Sequence, residues 1–83
     1  MKKYLVDVYL SAVGKHLDVY LPTGKRIGEA TQLLVSIAES LSGGSYKGTA
    51  NSVLLNANGG DPLNINDTVY DAGIRNSSKL ILI

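Results

Sequence analysis

Few residues in this chain of 83 could do chemistry, and they are scattered along it. The carboxylates are Asp7, Asp18, Glu29, Glu39, Asp61, Asp67 and Asp71. His16 is the single histidine, and a catalytic base needs a nucleophile or a carboxylate held beside it. The pattern offers His16 only Asp18, which lies further along the same predicted strand face. We therefore expect no catalytic residues, no metal site, no cofactor and no enzymatic activity.

One short motif resembles a phosphate-binding turn. Gly24, Lys25 and Arg26 precede a predicted helix, where free backbone amides can hold a phosphate. The full spacing Gly-x-x-x-x-Gly-Lys-Ser/Thr is absent. The motif therefore indicates a phosphate site only weakly.

Composition restricts the partners and the compartment. Lys and Arg total 8 and Asp and Glu total 7, so the net charge of +1 gives no strong attraction to nucleic acid or to an anionic membrane. The chain has no Cys, which excludes thiolate chemistry and disulfides. Lys2 and Lys3 resemble the start of a signal peptide, but the segment after them alternates and carries Asp7. We expect one domain, residues 1–83, with no nucleic-acid binding and no membrane insertion, and the absence of Cys is compatible with the cytosol.

The first two predicted strands form a hairpin. Residues 3–10 and 16–21 alternate apolar and polar side chains, which is typical of strands with one buried face. The predicted inward residues are Val6, Val8, Leu10, Leu17, Val19 and Leu21. A short connection over residues 11–15 contains Gly14 and suits a hairpin.

The next segment has a helical period and predicts a helix over residues 26–42. Its apolar stripe is Ile27, Ala30, Leu34, Ile37 and Leu41, widened by Leu33 and Ala38. Thr23 is the candidate N-cap, and Gly43-Gly44 is expected to end the helix because Gly adopts positive φ without strain. A single buried face follows from this pattern.

The second half of the chain is richer in turns. Residues 43–52 form the most loop-like segment, and Val53-Leu54-Leu55 is predicted as the third strand. Residues 58–61 are predicted to form a turn. Residues 62–64 are predicted to form a short edge strand after it, a position in which Pro62 is tolerated. The final strand is predicted over residues 79–83.

A miniature capping box precedes that final strand. The Thr68 hydroxyl is expected to accept a hydrogen bond from the amide of Asp71. The Asp71 carboxylate is expected to accept one from the amide of Thr68. Gly73 would close this single turn at positive φ, and Ile74 would enter the core. In the final strand the inward residues would be Leu80 and Leu82, and the outward residues Ile81 and Ile83.

These pieces predict an α+β fold, with one main helix packed across one face of a mixed four- to five-stranded sheet. The order of the pieces resembles the ubiquitin-like β-grasp fold, most specifically over residues 66–74 (NDTVYDAGI) and 79–83 (KLILI). The chain is most similar to the bacterial YukD/EsaB family, which accompanies type VII (WXG100) secretion systems. It shares with that family its length, an alternating first strand with Asp7, and an apolar last strand.

The resemblance implies a non-covalent protein-binding adaptor or regulator, an accessory cytoplasmic component of a bacterial type VII secretion system. Its partner would be a protein, namely a component of that system. Ubiquitin-like modifiers and sulfur carriers act through a C-terminal Gly-Gly, whereas this sequence ends on Ile83, so we expect no conjugation. The alternative is a modifier or sulfur-carrier-type protein that acts through a processed C-terminus.

The candidate protein-binding surface is the outer face of the predicted sheet. It would display Leu5, Tyr9, Leu54, Ile81 and Ile83. In a β-grasp sheet the first and last strands pair in parallel at the centre and the third lies beside the last, which would bring these side chains together. An apolar patch on a small domain indicates a binding site, although scattered apolar side chains are common on any surface. An exposed strand edge also allows weak self-association.

Overall fold

The computed structural model describes residues 2–43 and 52–83, and every structural statement below concerns these ranges. The elements in chain order are β1 Lys3–Leu10, β2 Lys15–Pro22, α1 Ile27–Leu41, β3 Leu54–Asn56 and β4 Lys79–Leu82. Most of the loop predicted over residues 43–52, including Gly44, lies outside the described residues. Within the described ranges, no helix has the length and apolarity needed to cross a membrane.

The four strands form one mixed sheet in the order β2-β1-β4-β3. β1 and β2 are antiparallel, as predicted for a hairpin, and the Gly14 amide donates to the Leu10 carbonyl at 2.8 Å to close the turn. β1 and β4 pair in parallel at the centre, and β3 runs antiparallel to β4. The predicted α+β arrangement of one helix and a mixed sheet is confirmed.

The alternating strands bury the side chains that their patterns predict. Val6, Val8 and Leu10 of β1 are buried, as are Leu80 and Leu82 of β4. On β2, which lies at the edge of the sheet, Leu21 is buried while Leu17 and Val19 are only half-buried. Burial of this apolar area is the main favourable term in folding.

Helix α1 buries a narrower stripe than its sequence predicts. Its buried side chains are Ile27, Ala30, Thr31, Leu34 and Ala38. Leu33 is 41% exposed and Leu41 is 48% exposed, so their assignment to the buried stripe was wrong. Successive helical residues point about 100° apart, and the stripe centred on Leu34 leaves Leu33 at the side. Thr31 is buried in its place, with its hydroxyl donating to the Ile27 carbonyl at 2.8 Å.

Backbone carbonyls, rather than a side chain, cap the start of α1. The N-cap residue is Arg26, which makes no side-chain capping bond, so the expectation of a Thr23 cap was wrong. The amides of Ile27 and Gly28 donate to the carbonyls of Asp67 and Ile65, at 2.8 and 3.0 Å. A loop distant in sequence therefore satisfies two amides that a helix start otherwise leaves free.

The register of β3 differs from the prediction by one residue. The strand covers Leu54–Asn56 rather than residues 53–55, and Leu54 pairs with Leu82 while Leu55 pairs with Ile81. Directly paired residues share a face of the sheet. Because Leu82 points into the core, Leu54 does so too and is 2% exposed.

The turn before β4 forms, but with only one of the two predicted capping bonds: among the described residues, the Asp71 carboxylate accepts no hydrogen bond from the Thr68 amide. The Asp71 amide donates to the Thr68 hydroxyl at 3.1 Å, and the Ala72 amide donates to the Thr68 carbonyl at 2.9 Å. Gly73 adopts φ 84°, and Ile74 is buried in the core. Ile74 is therefore anchored just before the chain enters β4.

We expect Thr68→Ala to destabilise the domain by about 0.5–1 kcal/mol, since it removes a cap of the type usually worth about 0.5–2 kcal/mol. The lower part of that range is expected because the bond is exposed to water. Urea unfolding followed by circular dichroism measures the change. Thr68→Ser keeps the hydroxyl and should cost less than Thr68→Ala, and an equal cost in both variants would contradict the capping role.

Candidate protein-binding face

The sheet has one face covered by α1 and one face that no described element covers. Side chains alternate between these faces along each strand. We call the uncovered side the outer face, and its strand residues are Lys3, Leu5, Asp7, Tyr9, His16, Asp18, Tyr20, Pro22, Leu55, Lys79 and Ile81. The outer face is therefore built from all four strands.

An apolar row crosses the outer face from edge to edge. His16, Tyr9, Ile81 and Leu55 are successive register partners, one from each strand. The rings of Tyr9 and His16 have centroids 4.9 Å apart, and Tyr9, Ile81 and Leu55 are half-buried. The row is therefore fixed by strand pairing, which holds its side chains in a defined geometry.

A polar row lies beside the apolar row. Asp18, Asp7 and Lys79 are register partners across three strands. His16 Nδ1 lies 3.0 Å from Asp7 Oδ1, so the imidazole reaches diagonally from the apolar row to this carboxylate. The partner of His16 is Asp7 rather than Asp18, which corrects the sequence-based expectation.

A shallow cleft of about 290 Å³ lies where the two rows meet. Its lining side chains include Tyr9, His16 and Ile81 from the apolar row and Asp7 and Lys79 from the polar row. Most of its lining surface is apolar, with charged groups at one side. A cleft of this kind can receive a partner side chain that has both apolar and polar parts.

Beyond the polar row, Leu5 of β1 pairs with Tyr20 of β2. Leu5 is 39% exposed and Tyr20 is 57% exposed. The Lys3 ammonium lies 4.8 Å from the centroid of the Tyr20 ring, a cation–π contact. Apolar side chains therefore border the charged groups on both sides.

Four of the five residues predicted for the binding surface lie on the uncovered side. Leu5, Tyr9 and Ile81 lie on its strands, and Ile83 follows β4 with its side chain exposed. Leu54 does not lie there, since it is buried on the helix side, and Leu55 occupies the corresponding outward position. That these residues bind a partner remains a prediction.

Sequence reasoning missed Leu55, and it did not bring His16 and Asp7 together. The pairing of His16 with Tyr9 follows from the hairpin register, which a count outward from the turn could have given. The position of Leu55 had no such signal, because Val53, Leu54 and Leu55 are all apolar.

The amides at the start of α1 do not form an open phosphate site. Those of Ile27 and Gly28 already donate to backbone carbonyls, and the Arg26 guanidinium donates to the Asn66 carbonyl. The phosphate interpretation of Gly24-Lys25-Arg26 therefore gains no support from these groups.

Comparison with solved structures identifies the fold. The ubiquitin-like domain of the Mycobacterium tuberculosis type VII secretion system protein ECCD1 superposes with a TM-score of 0.77 at 20% identity, covering 100% of this chain and 99% of that one. The EccD5 ubiquitin-like domain from Mycobacterium xenopi superposes with a TM-score of 0.81 at 16% identity, covering 100% and 94%. A chain of the MycP5-free ESX-5 inner membrane complex gives 0.80 at 17% identity, covering 100% of this chain and 21% of that one.

No protein-family model and no curated protein matches the sequence. At these identities the structural likeness establishes the fold alone. The superpositions extend over 99% of the ECCD1 domain and 94% of the EccD5 domain, in agreement with the helix across one face and the parallel central strand pair of this chain. This chain has the ubiquitin-like β-grasp fold.

Proposed function

We propose that this domain is a non-covalent protein-binding module whose outer face docks on a protein partner. The observation that carries the proposal is the apolar row of His16, Tyr9, Ile81 and Leu55. Aromatic and aliphatic side chains of this kind form the centre of protein interfaces, with polar groups around them. Strand pairing fixes the row in advance, so little conformational entropy is lost on binding.

We further propose that the partner is a component of a type VII secretion system and that the domain acts in the cytoplasm, as in the YukD/EsaB family. The likeness to the two EccD domains supports the secretion context. The third structure is a secretion-system inner membrane complex, in which a domain of this fold forms part of a larger chain. This likeness supports a protein as the partner.

Docking, rather than catalysis or conjugation, is the proposed activity. His16 and Asp7 form a hydrogen-bonded pair that is exposed to solvent. The amide of Ile83 donates to the Val53 carbonyl and the Val53 amide to the Ile83 carbonyl, both at 3.0 Å. This pairing holds Ile83 in the sheet.

An affinity capture experiment tests the proposal. The double variant Leu55→Asp/Ile81→Lys places two charges in the apolar row and should reduce capture of type VII secretion components from the native host at least about tenfold. Wild-type protein should capture them, as identified by mass spectrometry. Circular dichroism should show that the double variant remains folded, because both positions face outward.

The matched control is Leu33→Asp/Leu41→Lys, which places the same charges on exposed leucines of α1. Capture by this control should equal that of the wild type. Undiminished capture by Leu55→Asp/Ile81→Lys, or equal loss in the control, would reject the outer face as the docking site. Capture that lacks any secretion component would reject the proposed partner.

A further inference from the structure

The outer face contains two carboxylates that directly oppose each other. Asp7 of β1 and Asp18 of β2 are cross-strand partners. The Asp7 amide donates to the Ser78 carbonyl at 3.0 Å, away from β2, so the two Asp residues form a non-hydrogen-bonded pair. In such pairs the Cα atoms are about 4.5 Å apart and the side chains lie closest. Like charges in this position destabilise a sheet.

Among the described residues, only one member of this acid pair has a side-chain partner. Asp7 accepts from His16 Nδ1, but the Asp18 carboxylate has no ion-pair or hydrogen-bond partner among residues 2–43 and 52–83. Lys79 is the register neighbour of Asp7 on β4, yet its ammonium lies beyond ion-pair distance of either carboxylate. The Lys3 ammonium lies over the ring of Tyr20 instead. The Asp18 carboxylate is therefore available to a cation from outside the domain.

Two tyrosine rings border the acid pair. Tyr9 lies two residues from Asp7 on β1 and Tyr20 lies two residues from Asp18 on β2, both on the outer face and at opposite ends of the pair. A guanidinium group is planar, binds carboxylate oxygens through paired N–H groups and stacks on aromatic rings. Asp7 and Asp18 supply the carboxylates that a guanidinium group binds, and Tyr9 and Tyr20 supply the aromatic rings on which it stacks. An ammonium group matches the charge but lacks the planar geometry.

Docking on the apolar row has a consequence for the acid pair. Asp7 adjoins Tyr9 along β1 and lines the same cleft as Tyr9 and Ile81. A partner that covers the row therefore also removes water from Asp7, and an ionised group that loses water is costly unless it gains a counter-charge. A partner without a cation would weaken its own binding, whereas a cationic partner would be selected.

We propose, as an extension of the proposed function and resting on it, that the docking partner inserts an arginine side chain between Asp7 and Asp18. Apolar residues beside that arginine then cover the apolar row. The partner is thus a protein segment in which arginine is flanked by aliphatic or aromatic residues. Its guanidinium supplies the charge that the isolated domain lacks at Asp18.

Selection from a random dodecapeptide library displayed on phage tests this proposal, with the full chain immobilised as wild type, Asp18→Asn or Ile81→Lys. Peptides that bind the wild type should be enriched in arginine next to apolar residues. Asp18→Asn should return arginine to its library frequency while apolar residues stay enriched. Ile81→Lys should abolish enrichment of both, because it disrupts the row itself.

The outcomes separate the two proposals. If wild type and Asp18→Asn select apolar peptides with the same arginine content, the proposed arginine site is wrong and the docking face is still supported. The same peptides for wild type and Ile81→Lys would overturn the docking face. A wild-type selection without enrichment would overturn both.

A selected peptide provides a quantitative check by titration calorimetry. Its affinity should fall about tenfold or more for Asp18→Asn, as expected for loss of a hydrogen-bonded charge pair. Glu39→Gln removes one negative charge from α1 on the other side of the sheet and should leave the affinity unchanged. An equal loss in both variants would mean that net charge, not the acid pair, attracts the peptide, and would reject the site. Thermal unfolding should show Asp18→Asn at least as stable as the wild type, since the repulsion is removed.

Discussion

Leu54→Asp is expected to unfold the domain, whereas Leu55→Asp is expected to leave it folded. Leu54 is 2% exposed and pairs with Leu82 on the core side of the sheet. A carboxylate at that position loses its water without gaining a partner, and the core loses the contacts of a leucine. Together these costs should exceed about 4 kcal/mol, a large part of the ~5–15 kcal/mol that stabilises a typical domain.

Leu55 is the matched position because it is adjacent, has the same side chain and faces outward beside Ile81. Aspartate there stays in contact with water, so we expect a loss of about 1 kcal/mol or less. Urea unfolding by circular dichroism, together with the dispersion of amide NMR signals, measures both variants. Equal stability of the two variants, or greater damage from Leu55→Asp, would show that the register of β3 is wrong.

The second large effect is expected in α1. Leu34 is fully buried, and Leu34→Ala should cost about 2–5 kcal/mol, the range for removing a leucine from a packed core. Leu33→Ala should change the stability by no more than about 0.5 kcal/mol, because this side chain is exposed and Ala is the best helix former. Chemical denaturation of the two variants and the wild type gives both values.

The comparison is sensitive to how the helix is rotated on the sheet. If α1 were turned by one residue, Leu33 would take the buried position of Leu34 and Leu34 would take the half-buried position of Val35, so Leu33→Ala would become the costlier variant. Similar losses in both variants would instead indicate the broad stripe that the sequence pattern predicts. Either result would also make Leu33→Asp/Leu41→Lys unsuitable as a control in the capture experiment.

The Leu54 and Leu55 variants also bear on binding. Only a folded variant can report on docking, and Leu54→Asp would lose capture through unfolding. Leu55→Asp changes the apolar row and leaves the core intact. The capture experiment therefore depends on the register that the first prediction tests.

The fold was predictable where a local pattern has one interpretation. Residues 3–10 alternate strictly around Val6 and Val8, so the buried face of β1 follows from the strand period. Thr68, Asp71 and Gly73 define a turn through bonds between near neighbours, and the structure has that turn. Such interactions are local and need no knowledge of the rest of the chain.

The binding face was predictable only in part. Tyr9 and Ile81 were correctly assigned outward because the apolar residues on each side of them were predicted to face inward. Leu54 was assigned wrongly because the run Val53-Leu54-Leu55 has no alternation, and a shift of one residue exchanges the two faces of a strand. The run Leu33-Leu34-Val35 caused the same error in the helix.

By itself the sequence determined the elements, their order and the buried face of each strand that alternates. Those properties depend on the spacing of apolar residues and on turn chemistry, which act over a few positions. Only the tertiary structure decided the face of Leu54 and the carbonyls that cap α1. Each of these depends on the register between segments distant in the chain, and that register is set when all strands bury their apolar faces together.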